Sequence, residues 1–563
     1  MRRILVVAVL GLAIGSTTAM AQVAGPLVMR PDAVAVSPTV YSIASLGTAT
    51  MYGPQEFREQ RGHDIDKAQT IGRAVGLEAS VSAAPSTPYN QTATTQPLGA
   101  LYGPSFEGLG KGTPGYSVGV TPPDTTLGVS PTQVVQWVNL HIAVYDKVGN
   151  PLLPAPGFIP GNAIWSALPQ GTLCHDTNNG DPMVQYDRMA GRWILTQFAF
   201  NSGATQNAQC VAVSTTNNAL GSYYLYQYNF GTQLPDYPKL GVWPDAYYIT
   251  FNMFNLGSSF TGGEACAFDR AGMLVGAVSP ISICFRNSSR FSYLPSDLDG
   301  ALLPPAGAPN YHISWDWAFL AGPPYTMQLT KFKVNFVTPA LSTFDDGFGG
   351  GAFSYVAFPL DAGSIAACND NGNACVPQLG TGNTLDTLGS RHMYRLVYRN
   401  FGNTGDALLV TQAVDAVPGG SPADLRWWHI RLPGANPPIV YQNSNFIPDS
   451  KSRWMGSAAF DRFGNIGIGY SLSSSSMNPA IAVGGRQGFD PKNMLRAESV
   501  RVAGTGSDTG PYSRWGDYSA MQIDPKDNCT FWYTNQYLAT SAGSFNWRTR
   551  VVSFKFPSNV CGR

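Results

Sequence analysis

Ala459-Phe460-Asp461-Arg462-Phe463-Gly464-Asn465 is the stretch that decides the fold, because it recurs along the chain. Val144-Tyr145-Asp146-Lys147-Val148-Gly149-Asn150, Gln185-Tyr186-Asp187-Arg188-Met189-Ala190-Gly191 and Ala267-Phe268-Asp269-Arg270-Ala271-Gly272 have the same form. Gln522-Ile523-Asp524-Pro525-Lys526-Asp527 is a worn copy. Each ends an apolar or aromatic run, places Asp where its carboxylate can cap a turn, and follows with a basic residue and usually Gly or Asn. That is hairpin chemistry, with Gly or Asn taking positive φ and the basic side chain facing solvent.

Working outward, a second mark precedes the first by about one strand length. It is a polar lead-in to an apolar run: Pro123-Asp124-Thr125, Gly180-Asp181-Pro182, Pro244-Asp245-Ala246, Trp454-Met455-Gly456 and Gly516-Asp517-Tyr518. Two further strand-rich groups, around Tyr311 to Val334 and Arg391 to Leu432, lack the clean turn. Together these predict an all-β chain folded as a single β-propeller of seven four-stranded blades. The blades fall near 122–170, 181–230, 238–287, 309–360, 390–434, 453–504 and 513–558. A pair of β-sandwiches is the competing architecture, and repeats that run the whole length disfavour it.

Before the repeats, Met1-Arg2-Arg3, the apolar run Ile4 to Ile14 and Ala19-Met20-Ala21 read as a signal peptide over 1–21, cleaved before Gln22. The apolar run is shorter than the ~20 residues needed to cross a bilayer, so no transmembrane segment is expected. Residues 22–120 read as an arm or leader, partly disordered, lying over the propeller of 121–563; a charged piece from Gln55 to Leu77 is a candidate helix. The eight cysteines are even in number and suit an exported chain. Their neighbourhoods favour the disulfides Cys174–Cys210, Cys266–Cys284, Cys368–Cys375 and Cys529–Cys561, although 105 pairings are possible in principle. The expected location is extracellular or periplasmic.

Charged residues make up 12% of the 563 residues and the formal net charge is zero. That is about half the usual ~25% charged share. A neutral surface gives no basis for binding nucleic acid or an anionic membrane surface. A monomer is expected.

The sharpest chemical feature is a triplicate arginine: Ser390-Arg391-His392, Ser452-Arg453-Trp454 and Ser513-Arg514-Trp515. If each opens an inner strand, Arg391, Arg453 and Arg514 could meet at the axis and hold an acidic ligand, since a guanidinium fork suits a carboxylate, sulfate or phosphate. The plainer reading is that each Arg holds neighbouring blades in register. Asp124, Asp181, Asp245 and Asp517 mark the same positions. Carboxylates brought together must find cations or keep protons; blade-to-blade pairing with Arg453 and Arg514 is the expected outcome. Asp517, Asp245 and Tyr518 are the candidate catalytic groups. Asp176-Thr177-Asn178-Asn179-Gly180-Asp181 spaces oxygen donors as a partial calcium loop, making Asp176, Asn178 and Asp181 candidate ligands of a structural calcium; a plain Asx turn is the competing reading. The six histidines show no zinc spacing, and there is no nucleophile elbow or phosphate-binding glycine loop.

Asp236-Tyr237-Pro238-Lys239-Leu240-Gly241-Val242-Trp243-Pro244-Asp245, Arg514-Trp515-Gly516-Asp517-Tyr518-Ser519, Cys529-Thr530-Phe531-Trp532-Tyr533-Thr534-Asn535 and Asn546-Trp547-Arg548-Thr549-Arg550 carry a resemblance. Over about residues 120–558 the chain resembles a group of exported bacterial proteins regarded as sialidase-like β-propellers. The resemblance implies the fold and an extracytoplasmic setting. Sialidases hold their ligand's carboxylate with three arginines, and the triplicate arginine is similar in kind. The chain departs from them in lacking the Ser-x-Asp-x-Gly-x-x-Trp box, and Glu264 and Glu498 are its only glutamates after blade one begins. Two functions follow as expectations. One is a binding or scaffold module of adhesion type, presenting loops to an extracellular glycan or protein partner. The alternative is a glycan-active enzyme, a glycoside hydrolase or polysaccharide lyase, acting on acidic sugars at the central funnel.

Overall fold

The structure is a computed structural model that describes residues 25–45, 81–82, 87–94, 96–315, 326–359, 365–370, 374–417 and 421–561. The expected signal peptide, the Gln55–Leu77 helix and much of the arm lie outside the described residues. What is described is almost wholly β, with a few short helical turns.

The strands fall into seven successive antiparallel groups of four, called units 1 to 7 here. Their first strands are Thr125–Val129, Met183–Asp187, Gln233–Val242, Leu294–Asp299, His392–Asn400, Ser452–Phe460 and Ala520–Ile523. First strands of successive units lie side by side, and that of unit 7 lies beside that of unit 1. Among the described residues one ladder joins two units, the parallel pairing Ser296↔Leu396 to Asp299↔Arg399 between units 4 and 5. Elsewhere side chains and isolated backbone hydrogen bonds, such as Arg453 N–H to Ala423 O and Arg462 N–H to Asn528 O, make the join.

Unit 6 shows why these residues make strands. Ser452–Phe460 and Ile466–Ser474 are buried along their whole length, so both faces must be packed, and their sequences run apolar or small rather than alternating with charges. Gly467 and Gly469 sit where unit 7 presses closest. A Cβ on Gly467 would stand 2.7 Å from the Phe531 ring, and one on Gly469 2.4 Å from the Tyr533 ring. Small residues on one sheet thus accept aromatic rings from the next. The same join is made by Trp137 and Trp193 between units 1 and 2 and by Trp427 and Phe460 between units 5 and 6.

Unit 7 takes its fourth strand from far upstream: Leu101–Glu107 pairs antiparallel with Arg548–Lys555. Four shorter pieces from before residue 121 add to other outer edges. Leu27–Met29 extends unit 3, Ala33–Val36 unit 2, Val81–Ser82 unit 4 and Tyr89–Gln91 unit 5. These pieces pair with backbone groups that edge strands would otherwise expose.

The Asp-marked turns form as expected. Asp146 accepts from the N–H groups of Val148 and Asn150, Asp187 from Met189 and Ala190, and Asp461 from Phe463 and Asn465. The expectation that the basic residue faces solvent holds for Arg462 and Lys526 but not for Lys147, Arg188 and Arg270. Lys147 reaches Asp524 at 2.8 Å, joining unit 1 to unit 7. Arg270 reaches Asp187 at 2.7 Å and Arg188 reaches Asp299 at 3.3 Å. The turns crowd together at one end of the units, so a long cation there meets a neighbour's carboxylate before it meets water.

All four expected disulfides are present, and among the described residues no cysteine is free. Among those residues no helix is long and apolar enough to cross a membrane.

Candidate functional site

First strands run from what we call the leading end to the trailing end, where the Asp turns lie. At the leading end the backbone repeats a device. Asp124, Asp181, Tyr237, Ser292, Met455 and Asp517, in units 1, 2, 3, 4, 6 and 7, all have φ between 48° and 58°. Asp tolerates this left-handed conformation better than most residues, which accounts for three of the six.

At this end side chains build a column of alternating rings and cations. The Arg391 guanidinium lies 4.6 Å from the Phe291 ring centroid and 4.5 Å from that of Tyr237. On Tyr237 also sits the Lys239 ammonium, at 3.3 Å, and 4.0 Å beyond it is the Tyr518 ring. Units 3, 4, 5 and 7 all contribute. Desolvated cation–π contacts of this kind are worth ~2 kcal/mol each. Lys239 is 2% exposed and donates to its neighbour's carbonyl, Pro238 O, at 2.9 Å. Burial pulls its pKa down to about 7, against the pull of Asp181, Asp124 and Asp517. Arg391 is 1% exposed and its Nε and Nη1 have no hydrogen-bond partner.

Beside the column lies a pair that reaches solvent. Arg514 bonds Asp517 at 2.5 Å, their side chains 11% and 15% exposed. Through Nε the same guanidinium reaches the buried Asp386 at 3.1 Å. Asp386 Oδ1 also accepts the Trp515 N–H at 2.7 Å. One cation thus serves two carboxyls. Burial pushes the Asp386 pKa up to about 8; Arg514 opposes the rise and the Asp517 charge adds to it. Two carboxyls sharing a site and one counter-charge separate in this way.

A pH dependence follows. Folded Asp386 keeps its proton up to about pH 8, whereas unfolded Asp loses it near pH 4. The stability it contributes is therefore complete below about pH 4 and is lost as pH rises toward 8, by at most ~1.4 kcal/mol per pH unit. Asp386→Asn keeps an acceptor for Trp515 and cannot ionise. Its denaturant-measured stability should therefore fall less than the wild type's between pH 5 and pH 7. Equal slopes would show that Asp386 is ionised in the folded protein.

The sequence-predicted residues divide. Arg391, Arg514, Asp517, Asp124 and Asp181 come to the leading end. Arg453 does not. It is buried against Glu498, with bonds of 2.9 and 2.6 Å, and against Asp449 at 2.9 Å. The turned backbone explains this: the residue of positive φ comes two places after Arg453, at Met455, but three after Arg514, at Asp517. A one-residue offset sends a side chain to the other face. Asp245 is also elsewhere. It lies between Gln233–Val242 and Ala246–Asn255, at the trailing end, exposed and accepting from Tyr248 at 3.2 Å. The expected pairing of these aspartates with Arg453 and Arg514 holds for Asp517 alone, and there within one unit.

Tyr518 is present but not as a nucleophile. Its hydroxyl faces Pro182 O at 3.4 Å, and burial, reinforced by Asp181, Asp124 and Asp517, holds the phenol well above its ordinary pKa. Its ring is what the site uses. The calcium candidates turn to different partners. Asp176 accepts from Gly171 N, Asn178 donates to Leu140 O, and Asp181 accepts from Tyr237 N. Among the described residues, one trio of His, Cys, Asp and Glu side chains has ligand atoms within 4.8 Å of one another, Glu264, Cys266 and Cys284. Two of its members are joined in a disulfide.

Lys239 and Asp386 escaped the sequence reading because neither belongs to a repeat. The signal was a charge inside an apolar stretch: Lys239 before Leu240, and Asp386 between Leu385 and Leu388.

No protein-family model and no curated protein matches the chain. Among solved structures it is similar to a Penicillium chrysogenum alpha-L-arabinanase complexed with arabinobiose, at 7% identity and a TM-score of 0.32, over 82% of this chain and 99% of that one. An exo-1,5-alpha-L-arabinanase from a bovine ruminal metagenomic library matches at 9% identity and 0.29, over 57% and 96%. A Phanerochaete chrysosporium exo-beta-1,3-galactanase with galactose matches at 10% and 0.26, over 85% and 96%. Likeness this loose transfers neither activity nor site.

Proposed function

We propose that the seven units are the blades of one β-propeller, that the protein is exported, and that it cleaves an acidic glycan at the leading end of its axis. The contact of unit 7 with unit 1 and the Lys147–Asp524 bridge support a closed ring. The four disulfides support export.

The observation that carries the activity is a single guanidinium, Arg514, joining an accessible carboxyl to a buried one that keeps its proton at neutral pH. Glycosidic cleavage uses carboxyls in defined protonation states; here Arg514 pairs with Asp517 while burial holds the proton on Asp386. Asp517 meets the sugar and moves the proton. Arg514 orients it, and Asp386 acts from behind as a positioning residue. Arg514 supplies positive charge for the glycan's acid group. In hydrolysis the Asp517 carboxylate takes a proton from the attacking water, whose oxygen bonds the anomeric carbon as the C–O bond breaks, and the departing glycosidic oxygen is protonated from solvent. In a lyase the proton comes off the carbon beside the sugar carboxylate and the leaving oxygen departs with the electron pair.

The test is release of new chain ends from uronate-containing polysaccharides by the purified protein, measured both as reducing ends and as ultraviolet absorbance of unsaturated ends. Ends of either kind support the reading and distinguish the two reactions. Binding without release would return the protein to the adhesion reading.

A further inference from the structure

A cleft of about 390 Å³ opens at the trailing end, where the Leu101–Glu107 strand and units 7 and 1 meet. It lies at the far end of the units from Arg514 and shares no residue with the leading-end site. Its size is within the range of small-ligand sites.

The walls combine apolar and cationic groups. Tyr102 is 43% exposed and Val148 67% exposed, and both line the cleft with Pro104 and Pro131. Lys147, Lys526 and Lys555 line it as well, against one carboxylate, Asp524. Asp524 is already committed, to Lys147 at 2.8 Å and to the Trp532 ring N–H at 3.1 Å. Two further acids lie close by and are turned into their own loops: Asp527 accepts from Cys529 N, Thr530 N and Thr530 Oγ1, and Asp146 from Val148 N, Asn150 N and Asn150 Nδ2. Arg501 adds a further cation 3.5 Å from the Tyr102 ring centroid. In a chain of zero net charge this is a local excess of positive charge. Lys526 stands exposed at the rim as the most accessible ammonium.

We infer that this cleft is a second binding site, for an anionic saccharide. The Tyr102 ring offers a flat apolar surface to a sugar face, and Lys526 takes the acid group as a charge-assisted partner. A neutral sugar would leave the cationic rim unused, and a small inorganic anion would leave the aromatic wall bare. That the ligand is a saccharide rests on the glycan reading above; that it is anionic rests on the cleft alone. Such a site would hold a polymer at one end of the protein while the other end works on it.

The experiment is calorimetric titration of the full chain with oligogalacturonate and with its methyl ester, which removes the charge and keeps the sugar. Wild type should bind two acidic oligomers and the ester at least tenfold more weakly. Lys526→Glu, an exposed substitution, should lose one of the two sites and keep its melting temperature, as should Tyr102→Ala. Arg514→Ala should lose the other site. If Lys526→Glu leaves the stoichiometry and affinity intact, or the ester binds at the cleft as well as the acid, the cleft site is refuted whatever Arg514→Ala does. If only Arg514→Ala is silent, the leading-end reading fails and the cleft stands.

Discussion

Arg395→Met should destabilise the protein by about 3–5 kcal/mol, the cost of removing one partner from a buried ion pair. Arg395 is 1% exposed. It bonds Asp297 at 2.6 Å and Asp299 at 2.8 Å, and donates to Met521 O at 2.8 Å, so units 4, 5 and 7 meet in one side chain. Gln185 brings in unit 2 through Asp297 at 2.8 Å. Burial already pushes the Asp297 carboxyl above its ordinary range, and Arg395 is what opposes that. Without the guanidinium, two buried carboxylates have lost their main counter-charge. Adding Asp297→Asn and Asp299→Asn to Arg395→Met should restore part of the loss, as coupled neighbours do. Thermal or denaturant unfolding of the three proteins reads it. A loss below about 1 kcal/mol would mean the axis is wet enough to solvate the acids.

The second large effect concerns activity. Asp517→Asn should lower product release by about 10²–10⁴-fold, the usual contribution of a positioned acid or base. The substitution is isosteric and keeps an oxygen for Arg514, so folding should change little. The loss should fall on turnover rather than on substrate binding, because Arg514 remains. Asp386→Asn should instead alter the pH profile, since it touches no substrate and acts through Arg514.

Much of this was legible because the repeats are local. Asp146, Asp187, Asp461 and Asp524 announce their turns through short-range hydrogen bonding that needs nothing from the rest of the fold. Asp124, Asp181 and Asp517 were readable for the same reason, as small polar residues at a backbone turn. What failed depends on partners far away in sequence. The first strand of unit 4, Leu294–Asp299, lies before the blade expected near 309–360; Asp297 and Asp299 interrupt its apolar run, and their cation, Arg395, is about a hundred residues on. Arg453 and Arg514 look equivalent in sequence, yet the position of one left-handed residue sends them to different faces. Asp245 reads as a lead-in to an apolar run, and so it is, but to the second strand of unit 3, because the first, Gln233–Val242, already lies before it.

The most direct test of the account is to compare wild type and Asp517→Asn on one uronate polysaccharide, measuring bound polymer and new chain ends in the same samples. The account predicts that both proteins bind the polymer and that wild type alone generates ends, at a rate at least a hundredfold above the variant. Binding by both with no ends from wild type, or equal rates from the two, would contradict it.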